Sequence, residues 1–123
     1  MSGNDHREIE MKVLNYRQVE AEEATEAAGV TIRWVIGEED GAPNFTMRVF
    51  DVEPGAATPL HAHDWEHEVF VLAGRGRVYG GGEEAPLGEG DTVFIPAMEE
   101  HRFVNEGDEL LRFICVIPLP KKE

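Results

Sequence analysis

The sequence predicts an all-β domain, either a sandwich or a barrel. Three observations carry that prediction. Short runs of β-branched and aromatic residues recur from Val30 onward. Clusters of Gly, Pro, Asn and Asp separate them. No helix-length periodic segment lies between the runs, which disfavours a parallel α/β arrangement. The chain has 123 residues, the usual size of one domain. No internal repeat, low-complexity tract or linker divides it.

Taken in order, residues 1–10 are polar and are expected to be loosely attached. Residues 16–28, YRQVEAEEATEAA, are rich in Ala and Glu. They read either as a short helix ended by Gly29 or as a solvated acidic segment. Residues 1–29 together form an N-terminal extension, partly disordered or supplying an edge strand. The barrel domain runs from 30 to 118 and a tail from 119 to 123. Within the domain the strand-like runs are VTIRWVI, NFTMRVFDV, EVFVLAG, GRVYG, DTVFIP, HRFVN and LLRFICVI. GRVYGGGEEAPL reads as a hairpin with Gly80 to Gly82 at its tip.

Lysine and arginine number 11 against 25 aspartates and glutamates, a formal charge of −14. Such a surface repels phosphate backbones and anionic lipid, so nucleic acid and membrane surfaces are not expected partners. A small anionic ligand is not excluded, because a bound metal outweighs a distant surface field at short range. Cys115 is the only cysteine, lies in the apolar run FICVI and is expected to pack as a small hydrophobe. The N-terminus lacks the apolar stretch of a signal peptide, and no apolar run approaches the roughly twenty residues needed to cross a bilayer. The expected location is the cytoplasm.

Five histidines occur. His6 lies in the polar arm and reads as incidental. His61, His63 and His67 share parity, so on an extended segment all three face one side. A bend near Asp64 and Trp65 would weaken that inference without reversing it. His101 opens a later run. Neutral imidazoles suit Mn, Fe, Co, Ni, Cu and Zn, so the spacing points to a metal site.

The stretch from Gly55 to Gly74, GAATPLHAHDWEHEVFVLAG, resembles the first motif of the cupin family. That motif runs Gly, five residues, His-x-His, three or four residues, an acidic ligand, about six residues, Gly. GDTVFIPAMEEHRFVN, from Gly90 to Asn105, resembles the second, with Gly90, Pro96, His101 and Asn105 in register. The resemblance covers roughly residues 30–118. It implies a single cupin β-barrel, that is, a jelly roll or double-stranded β-helix. Two departures stand out. Met98 replaces the glycine that usually follows the proline, which changes a turn or adds an apolar wall. His67 takes the acidic ligand position, with Glu66 and Glu68 flanking it and pointing away by parity. The pattern is similar to four-histidine cupins, among them manganese-binding proteins considered candidate oxalate decarboxylases. The resemblance thus implies a metal held by His61, His63, His67 and His101, with Mn first and Fe, Ni, Cu or Zn as alternatives.

Four neutral ligands leave the ion's dipositive charge uncompensated and attractive to anions. No general base is evident. Glu66, Glu68, Glu99 and Glu100 read as solvated turn residues or partners of ring N–H groups. Trp34, Phe45, Met47, Tyr79, Phe94 and Phe103 lie on strands, where core is the ordinary account. Arg48 and Arg102 have the chemistry to hold a carboxylate, although an exposed strand position is the ordinary account of both. The leading expectation is a metal-dependent enzyme of small carboxylate or dicarbonyl compounds: a dioxygenase, decarboxylase or isomerase. The alternative is a non-catalytic protein that binds or senses a small anion or the metal. A homodimer is expected, because the N-terminal part has too little apolar content to fold alone.

Overall fold

In the computed structural model, which describes residues 10–119, nine strands form two antiparallel sheets. The strands are β1 (Glu22–Glu23), β2 (Val30–Ile36), β3 (Phe45–Val52), β4 (His67–Ala73), β5 (Arg75–Gly80), β6 (Glu83–Gly88), β7 (Thr92–Ile95), β8 (His101–Val104) and β9 (Leu111–Pro118). The larger sheet has the order β1-β2-β3-β9-β4-β7 and the smaller β6-β5-β8. This is the all-β jelly-roll barrel that the sequence predicts.

Alternation builds the core. On β9, Leu111, Phe113, Cys115 and Ile117 face inward and the residues between them are only partly covered. On β4 the inward row is His67, Val69 and Val71. His67 is therefore placed inside by the same period that buries two valines. Phe103 of the small sheet stacks on Phe113 of the large one with ring centroids 4.6 Å apart, joining the two layers. The β5–β6 hairpin turns on Gly81 and Gly82, whose φ values of 60° and 80° suit a two-residue turn that only glycine adopts freely. Gly80 belongs to the strand. Pro86 is tolerated on β6 because β6 is an edge.

Of the two readings of residues 16–28, the short helix does not form. Only Tyr16–Gln18 makes a single 3-10 turn, and Glu22–Glu23 adds an edge strand to β2. Tertiary contacts prevail over Ala/Glu helix propensity here. Lys12 donates to Val35 O at 2.9 Å and pairs with Asp40. The Tyr16 ring lies under the guanidinium of Arg112 at 5.0 Å and of Arg33 at 5.7 Å. Both arginines bind Asp51. Burial pushes the Asp51 carboxyl up, but Arg112 and Arg33 outweigh it and hold the group below its ordinary value. His6, the polar arm before Glu10, and the tail beyond Leu119 lie outside the described residues.

Between the sheets, residues 55–61 run along β8. Gly55 N–H donates to Asn105 O, Thr58 N–H to Phe103 O and His61 N–H to His101 O, while Asn105 and His101 donate back to Ala56 and His61. Asn105 locks one end of this seam. Its side-chain amide donates to Val52 O and Glu109 O, both at 2.8 Å, and its oxygen accepts from Gly107 N–H. Asn105→Ala removes all three bonds and takes the buried amide donor from Val52 O, so it is expected to cost about 3 kcal/mol. Urea unfolding checks this. A loss below about 1 kcal/mol would mean that the loop satisfies itself without Asn105.

Candidate metal centre

The seam brings the histidines together. His61 and His101 form an isolated antiparallel bridge, so the loop after β3 is fastened to the start of β8. Met98 N–H donates to His63 O, tying the turn before β8 to the same loop. His67 enters from β4, whose residue pairs with Ile95 of β7. The chain bends at Asp64 and Trp65, the feature that would weaken the parity argument. His63 stacks on Trp65 across 4.7 Å with the rings 7° from parallel, which fixes its orientation after the chain leaves strand geometry.

His63, His67 and His101 each offer a ring nitrogen, and these atoms lie within 4.8 Å of one another. That is a cluster that can hold a metal ion. His61 lines the same cavity, with its ring centroid 5.4 Å from that of His63. Its Nε2, however, is 3.0 Å from a carboxylate oxygen of Glu26. The structure thus gathers three of the four expected ligands and sets the fourth beside them, engaged with an acid. Glu66 and Glu68 are exposed, as parity requires.

The electrostatics favour neutral imidazoles. Burial, then His101 and His61, lowers His63 below its ordinary value. Burial, then His101, His63 and Arg48, lowers His67 to about 4. His67 Nδ1 is buried without a hydrogen-bond partner. His101 Nδ1 lies 3.0 Å from Glu99 O, which accepts its proton, so Nε2 is the nitrogen turned to the cluster as the ligand atom. The partner of this ring is thus a backbone carbonyl and not a glutamate side chain. A buried orphan nitrogen, neutral rings and an oriented His101 all fit a divalent transition metal.

The cavity is about 230 Å³ and is lined by Phe50, Phe103 and Phe113 besides the histidines. Of the strand residues considered for the pocket, Phe103 is buried and lines it. Trp34, Phe45 and Phe94 are exposed, which corrects the core reading for them. Met98 is also exposed and adds no wall. Its φ of 73° keeps the left-handed turn that glycine would adopt without strain, and among the described residues it is the only non-glycine with positive φ. Arg102 is exposed over the Tyr79 ring, but Arg48 is not the exposed strand residue expected. It faces the cavity opposite Cys115.

Residues 48–117 match the Cupin domain. The chain belongs to the cupin family. Among solved cupins, the polyketide cyclase RemF from Streptomyces resistomycificus is 36% identical with a TM-score of 0.84, over 93% of this chain and 83% of that one. The 1-methylthio-D-xylulose 5-phosphate methylsulfurylase of Rhodospirillum rubrum is 35% identical over 71 residues, 58% of this chain and 46% of the relative. The oxalate-binding protein of Thermotoga maritima is 36% identical over 67 residues, 54% of this chain and 55% of the relative. The cupin thus spans about half the length of these curated relatives. Among the described residues no helix is long and apolar enough to cross a membrane.

Glu26 was invisible to sequence reasoning, since nothing in an Ala/Glu-rich segment marks one glutamate as facing histidines 35 or more residues away. Arg48 was visible as a candidate but not as a cavity residue.

The lowered His67 value gives a pH dependence with a definite sign. Between its ordinary 6.5 and about 4, the unfolded chain binds a proton that the folded chain refuses. His67 therefore makes the metal-free protein lose stability as pH falls through that window. The hydrogen bond with Glu66 pushes Glu68 up to about 7 and acts in the opposite sense, but that pair is solvent-exposed and screened. Comparing wild type with His67→Gln isolates the histidine. Thermal unfolding of the metal-free proteins from pH 7 to 4 is expected to show a shallower decline for the variant. Parallel profiles would mean that His67 is not held neutral by the fold.

Proposed function

We propose that this cupin is a metal-dependent enzyme acting on small dicarbonyl or carboxylate compounds, using one divalent ion, with Mn the first candidate. His63, His67 and His101 hold the ion, and His61 joins as fourth ligand when it leaves Glu26. The observation that carries the reading is the convergence of three imidazoles at the wall of a cavity that also holds Phe50, Phe103 and Phe113, with no carboxylate in the cluster. When bound, the ion supplies Lewis-acid polarisation of a carbonyl oxygen. The protein supplies the rest. Phe50, Phe103 and Phe113 exclude water, the Glu99 carbonyl orients His101, and Trp65 orients His63. The likeness to RemF over most of both chains favours enolisation of a dicarbonyl followed by ring closure over the dioxygenase, decarboxylase and isomerase chemistries. The cavity is smaller than the roughly 300–1,000 Å³ of drug-sized sites, so it takes the reacting end of a ligand or a small whole one.

A second reading is non-catalytic binding of a small anion. It is favoured by the lining's single carboxylate, Glu26, being engaged with His61 and so not free as a base. One experiment separates the two. The protein is titrated with Mn²⁺, then assayed by NMR for hydrogen–deuterium exchange at the carbon between the carbonyls of a 1,3-dicarbonyl compound. One ion per chain and metal-dependent exchange, both lost in His67→Ala, are expected. Tight binding of the compound with no exchange above buffer would support the binding role instead.

We further propose a homodimer located in the cytoplasm. Phe94 on edge strand β7 and Phe70 on its neighbour β4 are exposed on the large sheet, an apolar strip next to an open edge. Sedimentation at micromolar concentration is expected to give twice the chain mass, and Phe94→Glu is expected to shift it to the monomer. A wild-type monomer would remove this part of the proposal.

A further inference from the structure

Arg48 carries a charge that the protein does not answer. It stands on β3 in register with Cys115 and lines the histidine cavity. Of the five N–H groups on its guanidinium, one donates to the Cys115 Sγ at 3.2 Å, and sulfur is a weak acceptor. Burial pushes the Cys115 thiol up, so that sulfur stays neutral and cancels nothing. Nε is sealed from solvent and has no partner. The remaining neighbours are two ring faces, Phe50 at 4.9 Å and Trp34 at 5.4 Å. Among the described residues the ion-paired arginines are Arg33, Arg77 and Arg112. The sequence holds 25 acidic residues, yet Arg48 is paired with none of those described. Glu26, the lining carboxylate, is turned to His61.

Arg48 is partly withdrawn from water without a counter-charge, which is costly, and the cost falls when an anion binds beside it. The guanidinium fork matches a carboxylate in both shape and charge. The same cavity presents the histidines, and its volume of about 230 Å³ limits what can reach both groups to a small molecule. We propose that Arg48 is a carboxylate subsite of this cavity, and that the ligand is a small keto acid whose carboxylate sits at Arg48 while its carbonyl oxygens face His63, His67 and His101. This rests on the metal-centre reading above and narrows it from dicarbonyl or carboxylate compounds to molecules that carry both functions. The Phe50 and Trp34 rings lie beside the guanidinium without competing for its donors.

The test uses calorimetric titration of the full-length Mn²⁺-loaded protein with acetoacetate, and with acetylacetone as the partner lacking a carboxylate. Arg48→Met is expected to weaken acetoacetate binding roughly 10- to 100-fold, the range for a charge-assisted hydrogen-bond pair. Arg48→Lys is expected to recover part of it, and acetylacetone is expected to change less than about twofold. Mn²⁺ is expected to bind all three proteins, more tightly in Arg48→Met because a cation that acts on His67 is gone, so each is titrated at saturating Mn²⁺. Acetoacetate bound as tightly by Arg48→Met as by wild type would overturn the subsite. Inorganic phosphate bound more tightly than acetate, in an Arg48-dependent manner, would overturn the carboxylate assignment. Should Mn²⁺ bind to none of the proteins, the metal reading fails by itself. The subsite is then decided by acetate titration of the metal-free wild type against Arg48→Met, where equal affinity would overturn it.

Discussion

The site depends on a backbone seam. Residues 55–61 lie antiparallel to β8, held by hydrogen bonds at Asn105, Phe103 and His101. Without that seam the loop bearing His61 and His63 would have no fixed relation to the strand bearing His101. Backbone amides and carbonyls inside a barrel must find partners, and here those partners are one another. The requirement that buried peptide groups be satisfied therefore also sets the spacing of the imidazoles. Phe103 takes part twice. Its backbone carries the middle of the seam, and its ring stacks on Phe113 to close the two sheets.

The cavity is a compromise between two demands on the same inward-facing rows. β4 and β9 fill the barrel with Val69, Val71, Leu111 and Phe113, which supply the burial that holds the fold. Towards one end of those rows stand His67 and Cys115, and the facing position on β3 is Arg48. A chain selected only for packing would continue the apolar rows. Polar groups placed there raise the energy of the empty barrel: His67 is forced neutral, its Nδ1 lacks a partner, and Arg48 lacks a counter-charge. Such strain in the polar accounting is expected where a ligand is meant to complete it.

The N-terminal segment forms part of the cavity wall. Ala24, Thr25 and Glu26 line the cavity, and Ala24 is fastened to Val30 by a backbone hydrogen bond. The segment is anchored earlier by Tyr16, which sits against Arg33 and Arg112 on the far side of β2, β3 and β9. A part of the chain with little apolar content of its own is thus ordered by cations on the sheet, and it delivers a carboxylate to His61.

Much of this was legible in the sequence, and the reasons are physical. Strand runs and turn clusters determine the all-β class because a period of two and a glycine turn are local properties. The hairpin at Gly81 and Gly82 and the inward direction of His67 follow from the same local rules. What the tertiary structure decided involves partners far apart along the chain. Residues 16–28 have the composition of a helix, but Tyr16 is worth more against Arg112, 96 positions away, than as a helical residue. Arg48 looks like any exposed strand cation until β9 brings Cys115 across from it. Parity placed His61 with its neighbours, but Glu26 draws its ring nitrogen aside. A local pattern tells which way a side chain points from its own backbone. Only the packed structure determines what it meets there.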